Sequence, residues 1–194
     1  MKFIYFIGII AISILALLVP VVAEVVYTPV NVSIPVGGYY HFDLNHDGVV
    51  DFTLHSQTWQ NECQFGDGYA WNLSLTPAAG NGVVASSGDY AAALPWATPI
   101  GPGQTFLPTT ALLAKLLWGY CGNGLYGQWI NLPNRFLGFQ FRLNGSSDIH
   151  YGWASVGEVG YVDRFGQLHA STVVLGIAYE TVAGQEILAG QTTD

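Results

Sequence analysis

An all-β fold, an antiparallel β-sandwich of jelly-roll-like form with one short helix, is predicted by three features of this chain. Several stretches alternate in character with a period of two. In Phe136 to Leu143, for example, Leu137, Phe139, Phe141 and Leu143 fall on one face and Gly138, Gln140 and Arg142 on the other. Aromatic residues make up 14% of the chain and charged ones only 9%, a usage that suits packed strands better than charged helices. The 24 glycines supply turns between the alternating stretches.

Lys2 precedes an apolar run from Phe3 to Val19, followed by Pro20 and the small-residue ending Val21-Val22-Ala23. This pattern predicts a Sec-type signal peptide, residues 1–23, cut after Ala23. The run approaches the roughly 20 residues of a membrane span, so an uncleaved anchor is the competing expectation; Pro20 and Ala23 favour cleavage. Residues 24–194 then form a single secreted domain of ordinary size.

Val25 to Ile34 is rich in β-branched residues but interrupted by Pro29, which predicts an edge strand. Gly37-Gly38 turns the chain into the alternating pair that flanks residues 43–51. Gln57 to Gly68 is polar and predicts a loop; Tyr69 to Leu75 alternates and predicts a strand. Pro77 to Pro108 is a long connection carrying short apolar islands. Thr109 to Trp118 is the helix candidate, with Pro108 before it, a Thr cap, and good helix formers that are apolar nearly all round. After Phe136 to Leu143, Asn144-Gly145 signals a hairpin into Ile149 to Val156. Gly157 to Val162 and Leu168 to Glu180 are further strands, and Gly184 to Ala189 closes the fold.

The most chemically specific stretch is Asp43-Leu44-Asn45-His46-Asp47-Gly48-Val49-Val50-Asp51. Oxygen-bearing side chains at Asp43, Asn45 and Asp47 alternate with other residues, Gly48 suits a sharp turn, Val49 offers a carbonyl and Asp51 closes the set. These are hard ligands for Ca²⁺. A metal-free polar turn is the bland alternative, since Asp, Asn and Gly also favour turns. An EF-hand would need a bidentate Glu where Leu54 stands, so the loop is expected between strands, with an affinity of about 10⁻⁴ to 10⁻³ M.

Cys63 and Cys121 are the two cysteines, and in an oxidising compartment they are expected to form a disulfide; two separate thiols are the alternative. The totals of 5 Lys+Arg against 13 Asp+Glu disfavour nucleic acid as a partner, and membrane contact is expected only through the signal peptide during export.

The stretch Tyr40 to Phe52, the run Phe136-Leu137-Gly138-Phe139-Gln140-Phe141, and the segments His150-Tyr151-Gly152-Trp153 and Ala178-Tyr179-Glu180-Thr181 together resemble a group of exported bacterial β-sandwich proteins with a DxNxDGxxD calcium loop. Many of that group carry PEP-CTERM-type sorting tails. This sequence departs from the tailed members at Gln191-Thr192-Thr193-Asp194. The resemblance implies secretion and the sandwich fold.

No Gly-x-Ser-x-Gly elbow, His-Glu-x-x-His helix or phosphate-binding Gly-rich loop occurs, so the expected function is not catalytic. It is that of a calcium-binding structural or adhesive protein outside the cytoplasm, extracellular or periplasmic. One alternative is a carbohydrate-binding module using loop aromatics, with Trp59 and Trp129 as candidates, so glycans or other extracellular proteins are the expected partners. Another is a hydrolase with an unrecognised site in which Asp148 orients His150 as general base. His41 and His55 are candidates for a second metal site beside the loop.

Overall fold

The computed structural model describes residues 23–63, 66–119, 122–143, 146–157, 159–162 and 168–193. The run up to Val22 expected to be a signal peptide, Cys121, and the Asn144-Gly145 pair expected to turn a hairpin lie outside them. The described residues form fifteen strands, in order: β1 (Val25–Ile34), β2 (Tyr39–Phe42), β3 (Phe52–Cys63), β4 (Gly66–Pro77), β5 (Gly82–Val84), β6 (Pro99–Ile100), β7 (Phe106–Leu107) and β8 (Ala111–Gly119). Then come β9 (Gly124–Tyr126), β10 (Arg135–Arg142), β11 (Ile149–Val156), β12 (Tyr161–Val162), β13 (Leu168–His169), β14 (Thr172–Glu180) and β15 (Ile187–Leu188).

Two antiparallel sheets carry the fold. One has six strands in the order β1-β14-β11-β10-β5-β7, the other five in the order β2-β3-β4-β8-β9. The chain crosses between the sheets from β1 to β2, from β4 to β5, from β7 to β8 and from β9 to β10, whereas β2-β3-β4 and β10-β11 run side by side within one sheet.

Period-two alternation aims one face of each sheet at a shared core. Phe42, Phe52, Leu54, Trp71, Leu73 and Leu75 from the five-stranded sheet meet Leu137, Phe139, Phe141, Val174 and Ile177 from the six-stranded one. Phe52 and Phe139 stack at 4.3 Å between centroids. The six-stranded sheet is also covered on its other face. Ala92, Leu94, Ile100, Ile187 and Ala189 pack there on Phe136, Tyr151, Trp153 and Ala178. The long connection after Pro77 therefore supplies a third layer. Between these layers Gly138 has no room for a side chain: a Cβ would stand 2.7 Å from a Val84 methyl and 2.8 Å from a Leu94 methyl.

The edge position of β1 follows from Pro29. Among the described residues it pairs only with β14, and its register shifts between Pro29 and Val32. Three expectations are corrected. Thr109 to Trp118 is not a helix: Ala111–Gly119 is strand β8, paired with β4 on one side and β9 on the other, and no helix occurs among the described residues. The register against β4 shifts by one residue where Leu73 faces Ala114 and Ser74 faces Leu112, so the extra residue Leu113 forms a bulge. Leu113 and Ala114 are consecutively buried at that bulge, which blurs the period of two and mimics a helix apolar all round. The ladder to β4 overrides the helical propensity of Leu and Ala. Gln57 to Gly68 is not a loop, because β3 and β4 pair as far as Cys63 and Gly66. Leu168 to Glu180 is two strands, β13 and β14.

Candidate metal centre

The loop 43–51 joins β2 to β3 beyond their last pair, Phe42 with Phe52. Burial of Leu44 in the core pulls its first turn inward, and the Asp51 N–H closes it on the Phe42 carbonyl at 2.7 Å. The chain reverses through positive φ at His46 (57°) and Gly48 (85°), the second being the conformation that glycine adopts without strain.

The acids fold this loop onto itself. Asp43 accepts the Asp47 N–H at Oδ1 (3.1 Å) and the Gly48 N–H at Oδ2 (2.9 Å). Asp47 accepts the Val49 N–H at Oδ1 and the Asn45 side-chain amide at Oδ2, both at 2.8 Å. That amide bond leaves Asn45 Oδ1 on the other side, buried and with no hydrogen-bond partner. A buried carbonyl oxygen without a donor is costly, so the position suits a cation.

Asp51 differs from the other two acids in being 5% exposed. Its Oδ2 accepts the Leu44 N–H at 2.9 Å and its Oδ1 the Asn81 amide at 3.3 Å. Asn81 in turn accepts the Arg142 N–H at 3.2 Å, which links the loop to β10 in the opposite sheet. Burial pushes the Asp51 carboxyl up to about 6; the Leu44 N–H and the Asn81 amide pull it down, and the charges of Asp47 and Asp43 push it further up. A cation would offset both the burial and the mutual repulsion. At the tip, His46 Nε2 shares a hydrogen bond of 2.9 Å with the Thr28 hydroxyl of β1.

Asp43, Asn45 and Asp47 are thus brought into one hydrogen-bonded turn, with Val49 following on the exposed side and Asp51 beneath. Among the described residues no three His, Cys, Asp or Glu side chains already converge as a metal-binding group. The oxygens fit a hard cation in kind, and the loop would have to draw them together around it. Of the other metal candidates, His41 bonds the Thr53 hydroxyl at 3.0 Å, and His55 stands opposite Tyr39.

Three further candidates are placed differently from expectation. Trp129 is fully buried in the shared core and its indole N–H donates to the Ala91 carbonyl at 3.0 Å, so it presents no face to a sugar. Trp59 lies within β3 opposite Ala70 and is half-buried. His150 is buried with Nδ1 on the Glu180 carbonyl at 3.0 Å, while Asp148 is exposed, so the proposed dyad is not assembled. Cys63 ends β3; Cys121, the partner expected from the sequence, lies outside the described residues. Sequence reasoning missed Asn81 and Thr28. Asn81 stands 30 residues from Asp51 in what reads as an ordinary turn, and no local spacing signals the contact. Compared with family models, curated proteins and solved structures, the chain matches none.

Proposed function

We propose that the protein is a secreted, non-catalytic β-sandwich, jelly-roll-like in its winding, that binds Ca²⁺ in the loop 43–51 and serves as a structural or adhesive element outside the cytoplasm. The observation that carries this is Asn45 Oδ1, buried without a donor beside Asp43 and Asp47. Asp43, Asn45, Asp47, the Val49 carbonyl and Asp51 would hold the ion, which would neutralise acids now met by N–H groups and amides. Bound there, it would tie β2 to β3 and, through Asn81, to β10.

Thermal unfolding of the chain from Glu24 in millimolar Ca²⁺ and in chelator tests this, alongside Asp47→Ala. Saturation at a hundred times Kd adds about 2.7 kcal/mol and raises the midpoint by roughly 5 to 10 °C, a gain that Asp47→Ala loses. Equal midpoints in all four conditions rule out the site.

Carbohydrate binding is supported by a tryptophan other than Trp59 and Trp129. Trp96 is 72% exposed. Its ring packs over Gly190, where a Cβ would stand 2.5 Å from it, and it borders a groove of about 250 Å³ with Leu188, Thr192 and Thr193. An exposed indole face with hydroxyls nearby suits a sugar ring. On this reading Trp96→Ala abolishes retention on a glycan array while leaving the melting midpoint intact, and an array with no retained glycan removes it.

A further inference from the structure

We propose that the fold carries a receptor for a new N-terminus: the α-ammonium group created when the chain is cut between Ala23 and Glu24 pairs with the buried carboxylate of Glu180. The proposal rests on residues 1–23 being an export signal, and it adds to that a structural reason for the position of the cut.

Glu180 is the last residue of β14 and is 3% exposed. Its Oε1 accepts two N–H groups, from Val182 at 2.9 Å and from Glu24 at 3.2 Å. Among the described residues no Lys or Arg forms an ion pair with it. A carboxylate this deeply buried and met only by neutral donors is costly, and proteins offset such a charge with an opposite one. The main chain holds the Glu24 nitrogen in place. Glu24 offers its carbonyl to the Thr181 N–H at 3.0 Å, and the next residue, Val25, pairs with Glu180 in the β1–β14 ladder. The Glu180 main-chain carbonyl is itself engaged by His150 Nδ1 at 3.0 Å, which fixes the backbone from which the carboxylate extends.

The nitrogen in question is the one that the small-residue ending Val21-Val22-Ala23 marks for release. Hydrolysis of the Ala23–Glu24 bond by an export endopeptidase consumes one water. The hydroxyl goes to the Ala23 carbonyl carbon, which departs as a carboxylate, and the Glu24 nitrogen takes up protons to become an ammonium. One neutral hydrogen bond at 3.2 Å then becomes a charge-assisted pair, and the edge strand β1 is locked to β14 at its first residue. Before the cut the same place holds an amide with no charge. Removal of the leader is therefore coupled to completion of the sheet edge.

The test begins with intact mass and N-terminal sequencing of the full chain after export. Next, the chain beginning at Glu24 is compared with a free amine, with an acetylated amine and with Ala23 retained, in the parent and in Glu180→Gln. The expected outcome is an exported chain starting at Glu24, with acetylation or retention of Ala23 lowering the midpoint by about 5 °C in the parent and by less than about 1 °C in Glu180→Gln. If Glu180→Gln does not fold, the free and acetylated parents still decide. An exported chain that starts elsewhere, or keeps its apolar segment, overturns the export-signal reading and the receptor together. A start at Glu24 with no loss on acetylation overturns the receptor alone.

Discussion

Asp51 is where the loop, the opposite sheet and the candidate ion meet, and its titration gives the residue a measurable signature. Its carboxyl is raised from an ordinary value near 3.8 to about 6, mainly by burial. Between those two values the folded chain binds more protons than the unfolded one, so this residue's contribution to stability falls as pH rises through the window. In chelator, the stability of the parent relative to Asp51→Asn should therefore decline from pH 4 to pH 7. A difference that is flat with pH would contradict the raised carboxyl. Calcium acts in the opposite direction, since it favours the ionised form, and should recover the loss at pH 7. The turn that joins Asp43, Asn45 and Asp47 is readable from spacing because each lies within a few positions of the next. Asn81, which holds Asp51 from 30 residues away, is not.

At the scale of elements, β10 is squeezed between two layers, and Gly138 is the point of closest approach. A Cβ there would stand 2.7 Å from Val84 and 2.8 Å from Leu94. Gly138→Ala should cost about 1–3 kcal/mol, read as a lowered urea midpoint with the fold retained. An unchanged midpoint would mean that the outer layer yields freely. Strand β8 shows how an element can be misread. Its bulge at Leu113 sets two buried residues side by side, and only the pairing with β4 reveals an extended chain. Strand β1 was legible because proline at position 29 confines a strand to an edge whatever packs beside it.

For the whole molecule, the topology brings the ends of two separated strands to one end of the five-stranded sheet. Cys63 ends β3 opposite Gly66, and Gly119 ends β8 opposite Gly68, so the two chain positions flank β4. Cys121 follows Gly119 by two residues in sequence. A disulfide between the cysteines would close a long loop and contribute about 4 kcal/mol in the chain-entropy model. Peptide mapping without reductant should recover the Cys63–Cys121 pair, and reduction should lower the melting midpoint. Two freely alkylated thiols in the exported protein would exclude it.

The sequence by itself determined the all-β class, the edge position of β1, and the turn that gathers Asp43, Asn45 and Asp47. These depend on alternation, on proline's missing N–H and on side-chain bonds that span a few residues. Only the tertiary structure decided that Thr109 to Trp118 is a strand, that Trp129 is core while Trp96 is exposed, and that Glu180 meets the nitrogen of Glu24. Burial and long-range pairing depend on which sheet face lies against which layer, and no local pattern records that choice.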